Sequence, residues 1–111
     1  MKVLIAVENN AGLDSKLDNR FGRAGYFLIY DTDEEKVSSI EENMFKNAGH
    51  GVGIKTASFV IEKGCKAAIG AQPGPKAAVI LEQANVKMIV ADKGTAKELL
   101  EKYKNELTAL V

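Results

Sequence analysis

The run Val3-Leu4-Ile5-Ala6-Val7 constrains the fold more than any other part of the chain: it is apolar throughout and rich in β-branched residues. It lacks the apolar-polar alternation of a strand with one wet face, so it predicts a strand covered on both sides, in the middle of a sheet flanked by helices. Glu8 ends the run, which leaves it too short for the apolar core of a secretory signal. No later segment approaches the about 20 apolar residues of a membrane span. A cytoplasmic protein is expected, in which the single cysteine, Cys65, stays reduced.

The remaining elements follow from punctuation and period. Residues 9–23 break every periodicity and read as a long loop leaving the first strand, the kind that is uncommon in compact domains and often functional. Residues 25–31 and 36–41 read as a hairpin joined by a polar turn, with the third strand at a sheet edge. A second glycine-containing loop, residues 43–53, ends in His50-Gly51-Val52-Gly53. Beyond it Ile54, Ala57, Ser58 and Ile61 recur at helical spacing, and Gly64 stands where a left-handed cap belongs. Residues 65–70 form a short apolar strand, and Gln72-Pro73-Gly74-Pro75 a turn whose Pro75 suits a first helical position.

Ala77, Ile80, Leu81 and Ala84 supply the buried stripe of that helix, Asn85 its cap, and residues 86–91 the last strand. Thr95 and Glu98 form a capping box for a final helix, with Ala96, Leu99, Leu100, Tyr103 and Leu107 facing inward and Glu98 pairing with Lys102 outside. The order βββαβαβα predicts an α/β fold: three layers, α/β/α, around a mixed five-stranded sheet. The 111 residues make one domain, residues 1–111. A chain of that length buries roughly 65% of its extended surface without disulfide or zinc staples.

Ligands of such sheets collect beyond the carboxyl ends of the parallel strands. That rim would carry the loop 9–23, the turn 72–75 and the turn 92–94, with the His50 segment expected to join them. Fifteen basic and fifteen acidic residues cancel, so no net cationic field favours nucleic acid or an anionic membrane surface.

Three phrases combine in order: Phe21-Gly22-Arg23-Ala24-Gly25-Tyr26-Phe27 entering a strand, His50-Gly51-Val52-Gly53 opening a helix, and Gly74-Pro75-Lys76-Ala77 opening the next. Their order and spacing resemble the dinitrogenase iron-molybdenum cofactor biosynthesis family, from Val3 to Leu100. The resemblance implies a three-layer domain of ribonuclease H-like topology. It also implies a non-catalytic role: binding and carrying an iron-sulfur or iron-molybdenum cluster or its precursor, with a donor or acceptor protein as partner. The positions that match the family pattern are Phe21, Gly22, Arg23, His50, Gly51, Gly53, Gly74 and Pro75. The chain departs from a cluster-ligating pattern in having no set of several Cys or His residues.

The residues themselves suggest the same chemistry. His50 precedes a helix N-terminus, where the dipole disfavours imidazolium and leaves a neutral ring able to ligate a metal; the plainer role is a polar loop or cap residue. Gly51 and Gly53 let the backbone approach a bound group and free its N–H donors, or simply satisfy a tight turn. Gly74 lies between prolines that remove donors from its turn. Arg20 and Arg23 would put positive charge at an anion site, or pair with Asp14 or Asp18 on the surface. Phe21 covers a ligand or, more in keeping with an aromatic, anchors its loop.

Cys65 begins a buried strand and reads as a small hydrophobe. Met44 could lend a soft thioether, but packing on the core is its simpler role. Glu8 and Asp92 end strands, where carboxylates of a two-metal nuclease centre would be sought, yet no further carboxylate, base or nucleophile accompanies them, so no enzyme is expected. The rival reading is a regulatory or interaction module that binds a small anionic metabolite or a protein without metal.

Overall fold

The computed structural model describes residues 1–110. Its elements run β1 (Lys2–Val7), a single 3-10 turn (Gly12–Asp14), β2 (Tyr26–Asp31), β3 (Lys36–Glu42), α1 (Val52–Glu62), β4 (Cys65–Gly70), α2 (Pro75–Gln83), β5 (Lys87–Val90), α3 (Ala96–Lys102) and α4 (Lys104–Thr108). One sheet holds all five strands in the order β3-β2-β1-β4-β5. The apolar run of β1 is therefore central, and Val3 to Val7 are each fully buried. β2 and β3 pair antiparallel, and β1, β4 and β5 are parallel.

The two faces of the sheet carry different helices. Leu4, Ala6, Phe27, Ile29 and Ala68 pack with Ala57 and Val60 of α1 and Ala77 and Leu81 of α2. Val3, Ile5, Val7, Leu28, Ala67 and Ile69 face Ala96, Leu99 and Leu107 of the C-terminal helices. The expected three-layer arrangement is thus the observed one.

Local signals are obeyed where partners are near in sequence. Pro75 opens α2, Gly64 takes a left-handed φ of 73°, and Thr95 and Glu98 close a capping box. Other expectations need correction. The Glu98 carboxylate accepts the Thr95 N–H at 2.9 Å, while the Lys102 ammonium lies 5.5 Å from the Tyr103 ring, so the expected Glu98–Lys102 pair is absent. The capping bond outcompetes an exposed ion pair worth a few tenths of a kcal/mol. The final helix breaks at Tyr103 into α3 and α4. On α1 the buried residues are Val52, Thr56, Ala57 and Val60, whereas Ile54 and Ile61 are exposed.

The loop 9–23 is more structured than its sequence suggests. Leu17 bridges to Val7 and Lys16 to Thr95, so the loop lies against the carboxyl end of β1 and the start of α3.

Candidate functional site

The phrase Phe21-Gly22-Arg23 is held by contacts from distant parts of the chain. The Phe21 ring is buried in the core shared with α1 and α2. A β-carbon added at Gly70 would lie 2.8 Å from Cδ1 of that ring, so β4 must end in a residue without a side chain. Burying a phenylalanine is worth about 2–3 kcal/mol, more than any single net hydrogen bond of about 1 kcal/mol, so Phe21 is the main anchor of its loop.

Polar contacts then fix its path. Asp18, buried, accepts the Arg20 N–H at 3.0 Å and Nε at 3.2 Å on one oxygen, and the Gly25 N–H at 3.0 Å on the other. Asn43, also buried, donates from Nδ2 to the carbonyls of Gly22 and Ala24, both at 2.9 Å, while its oxygen accepts the Phe45 N–H at 2.8 Å. The Thr56 hydroxyl on α1 donates to the Gly22 carbonyl at 3.1 Å.

These restraints press Gly22 against the first turn of α1. A β-carbon there would come within 3.3 Å of Val52 Cγ1 and 3.4 Å of the Gly53 backbone. α1 starts at Gly51, which has a left-handed φ of 70° and gives no side-chain cap. α2 starts at Gly74, again without a side-chain cap. The first N–H groups bonded within these helices belong to Lys55 and Ala78, which donate to the Gly51 and Gly74 carbonyls. The N–H groups of Val52, Gly53 and Ile54, and those of Lys76 and Ala77, consequently have no intrahelical acceptor.

The two helices meet at Gly53, where an added β-carbon would lie 3.4 Å from that of Ala77. Between their starts lies a groove of about 380 Å³ lined by residues 51–54 and 74–77. That lining contains no carboxylate, and Lys76 adds a positive charge. Two helix starts, with their positive dipole ends and N–H groups that lack an intrahelical acceptor, thus border one groove.

Gly22, Gly51, Gly53, Gly74 and Pro75 therefore come together. His50 stands immediately before the α1 cap, exposed and outside the groove lining. Arg23 donates from Nη1 to the Lys46 carbonyl at 2.9 Å, bracing the loop that leads to His50. Arg20 pairs with Asp18, the plainer of its two roles. Phe21 is an anchor and does not cover the groove, because its ring is 3% exposed and packed on Gly70.

Met44 does not pack on the core: it is 85% exposed. The neighbouring Phe45 is half-buried instead, with the Lys55 ammonium 5.7 Å from its ring. Cys65 is buried at the amino end of β4 beside Lys2, at the opposite end of the sheet, and burial pushes its thiol up to about 11. The rim is divided: Glu8 and Asp92 share a separate cleft of about 250 Å³ with Lys16, Lys93 and Thr95. Among the described residues no group of three or more His, Cys, Asp or Glu could hold a metal ion.

Of the residues that position the groove, Asp18 is expected from the sequence only as a surface partner of Arg20 or Arg23 yet is buried, and Asn43, Thr56 and Gly70 are not among the candidate residues. Asn43 has its Gly22 and Ala24 partners 21 and 19 residues away. No local pattern distinguishes it from Asn9 or Asn47. Gly70 carried one usable signal, a glycine closing an apolar strand, which often marks a close approach.

Comparison with known proteins agrees with the fold. A family model described as dinitrogenase iron-molybdenum cofactor matches residues 1–106. An uncharacterized protein of Methanocaldococcus jannaschii is 29% identical over 105 residues, covering 93% of this chain and 85% of the relative. The apo form of the orange protein from Desulfovibrio gigas superposes with a TM-score of 0.86 at 26% identity, over 95% of this chain and 88% of that one. A proposed NifB protein from Thermotoga, of the DUF35 family, superposes with a TM-score of 0.79 at 32% identity, over 94% and 87%.

Proposed function

The chain belongs to the dinitrogenase iron-molybdenum cofactor family, and from that premise we propose that it is a non-catalytic carrier whose cargo is an anionic iron-sulfur or iron-molybdenum type cluster, or a precursor of one. The observation that carries the reading is the convergence of two uncapped helix starts on one groove without a carboxylate. An anionic sulfide-bridged cluster would accept hydrogen bonds from the N–H groups of residues 52–54 and of Lys76 and Ala77, with Lys76 offsetting its charge.

His50, just before the α1 cap and outside the groove lining, would add a single coordinating nitrogen from the flank. Sparse ligation suits cargo that must leave again, since few metal-protein bonds have to break. Cys65 contributes nothing, because it is buried, protonated and remote. The partner would be the protein that supplies or accepts the cluster.

Anaerobic incubation with iron and sulfide, with and without molybdate, tests the proposal. The expected product is a coloured protein whose visible absorption weakens in His50→Ala and whose amide resonances move at residues 52–54 and 76–77. A protein that stays colourless under all these conditions, yet shifts the same amides with a small organic anion, would establish the rival reading of a metal-free module.

A further inference from the structure

The opposite end of the sheet carries a second concavity. β1 begins where β2 ends, with Lys2 paired to Asp31, so the turn after β2 lies at the pole away from the groove. Between that turn and the C-terminal helices runs a cleft of about 400 Å³. Its floor is Tyr30, Leu100 and Leu107, all packed on the second core. Its rim carries Asp33, Glu35 and Glu101 against one basic residue, Lys104. Asp33 is bonded to the Met1 ammonium at 2.8 Å. Glu35 and Glu101 are exposed and form no ion pair among the described residues.

We propose that this cleft docks a basic segment of a partner protein, with an apolar side chain set on Tyr30 and Leu100 and lysine or arginine groups set against Glu35 and Glu101. The argument is charge complementarity above an apolar floor: an acidic rim attracts a cationic segment and steers it, while the floor supplies the contact area. The Tyr30 phenol is pushed up first by burial and further by the Glu35 and Asp31 carboxylates. The carboxylates of Glu35 and Glu101 stand in solvent at the rim, within reach of a partner's side chains. Docking here would leave the anion groove at the other pole unobstructed, and this inference does not depend on what that groove holds.

A nitrogen-resolved NMR titration of the full chain tests it, using a short synthetic peptide that alternates lysine with leucine and phenylalanine, and a counterpart with glutamate in place of lysine. The lysine peptide is expected to shift the amides of Tyr30, Thr32, Glu35, Leu100, Glu101 and Thr108 saturably, leaving residues 51–54 unmoved. The double variant Glu35→Lys with Glu101→Lys, both at exposed positions, should weaken binding about tenfold, and the glutamate peptide should not bind. Shifts centred elsewhere, equal binding of the two peptides, or a loss smaller than about threefold in the double variant overturns the proposal.

Discussion

The ring of Phe21 occupies the space in which a side chain at Gly70 would begin: the added β-carbon would lie 2.8 Å from Cδ1. A loop residue and a strand terminus, far apart in sequence, thus share one volume, and the strand end gives way.

Gly70→Ala should therefore destabilise the protein by about 1–3 kcal/mol, although replacing glycine in a strand normally helps. Phe21→Ala should cost about 3–5 kcal/mol. In the double variant the Gly70→Ala increment should shrink towards zero, because the clash has gone. Urea unfolding of the four proteins measures the coupling, and additive costs would mean that the two positions do not compete.

Asn43→Ala should cost about 1–3 kcal/mol, chiefly by leaving the Ala24 carbonyl without its partner; Gly22 keeps the Thr56 hydroxyl. Proteolysis within residues 44–50 should quicken, since the loop then depends on the Arg23 bond to Lys46. An unchanged cleavage rate would show that Asn43 does not restrain it.

Ile54→Glu separates stability from binding. Ile54 lies in the first turn of α1, lines the groove and is 39% exposed. A carboxylate there favours the helix by about 0.3–1 kcal/mol while repelling an anion from the same N–H groups. The melting temperature should hold or rise as molybdate or phosphate ceases to shift the amides of residues 52–54. An intact anion response would remove the groove from the function.

The Cys65 thiol sets an alkaline limit. Its value is raised from 9.0 to about 11, first by burial, with Lys2 and Lys63 acting the other way. Between those values the unfolded chain loses the proton and the folded one keeps it, so stability is complete below about pH 9 and declines as the pH rises towards 11. Cys65→Ala should flatten that decline in pH-dependent melts. The native thiol should also resist alkylation at pH 8 and react readily in urea.

Thr95→Ala should cost about 1 kcal/mol by removing the cap of α3. The backbone and hydroxyl of Thr95 hold the Glu98 carboxyl below its ordinary value. That contribution is present above the unfolded-state value and fades as the pH falls through the folded one. The variant keeps the backbone bond, the larger cause, and loses only the hydroxyl one, so its loss of stability on acidification should be only slightly shallower.

Short-range chemistry made much of this fold legible in the chain alone. An unbroken apolar β1 must lie at the centre of a sheet, Pro75 suits a first helical turn, Gly64 tolerates a left-handed backbone, and Thr95 and Glu98 reach each other within one turn. The glycines at 22, 51, 53 and 74 likewise marked the segments that meet. Which segments line the groove was decided only by tertiary structure. The lining brings together the separate stretches 51–54 and 74–77, with Gly22 pressed against the first by a buried asparagine and a buried ring. The same packing left Met44 in solvent, turned Arg23 to a carbonyl and set His50 outside the lining. Side-chain direction at such positions depends on how helices seat on the sheet, and a periodic pattern carries the turn of each helix but not its seating.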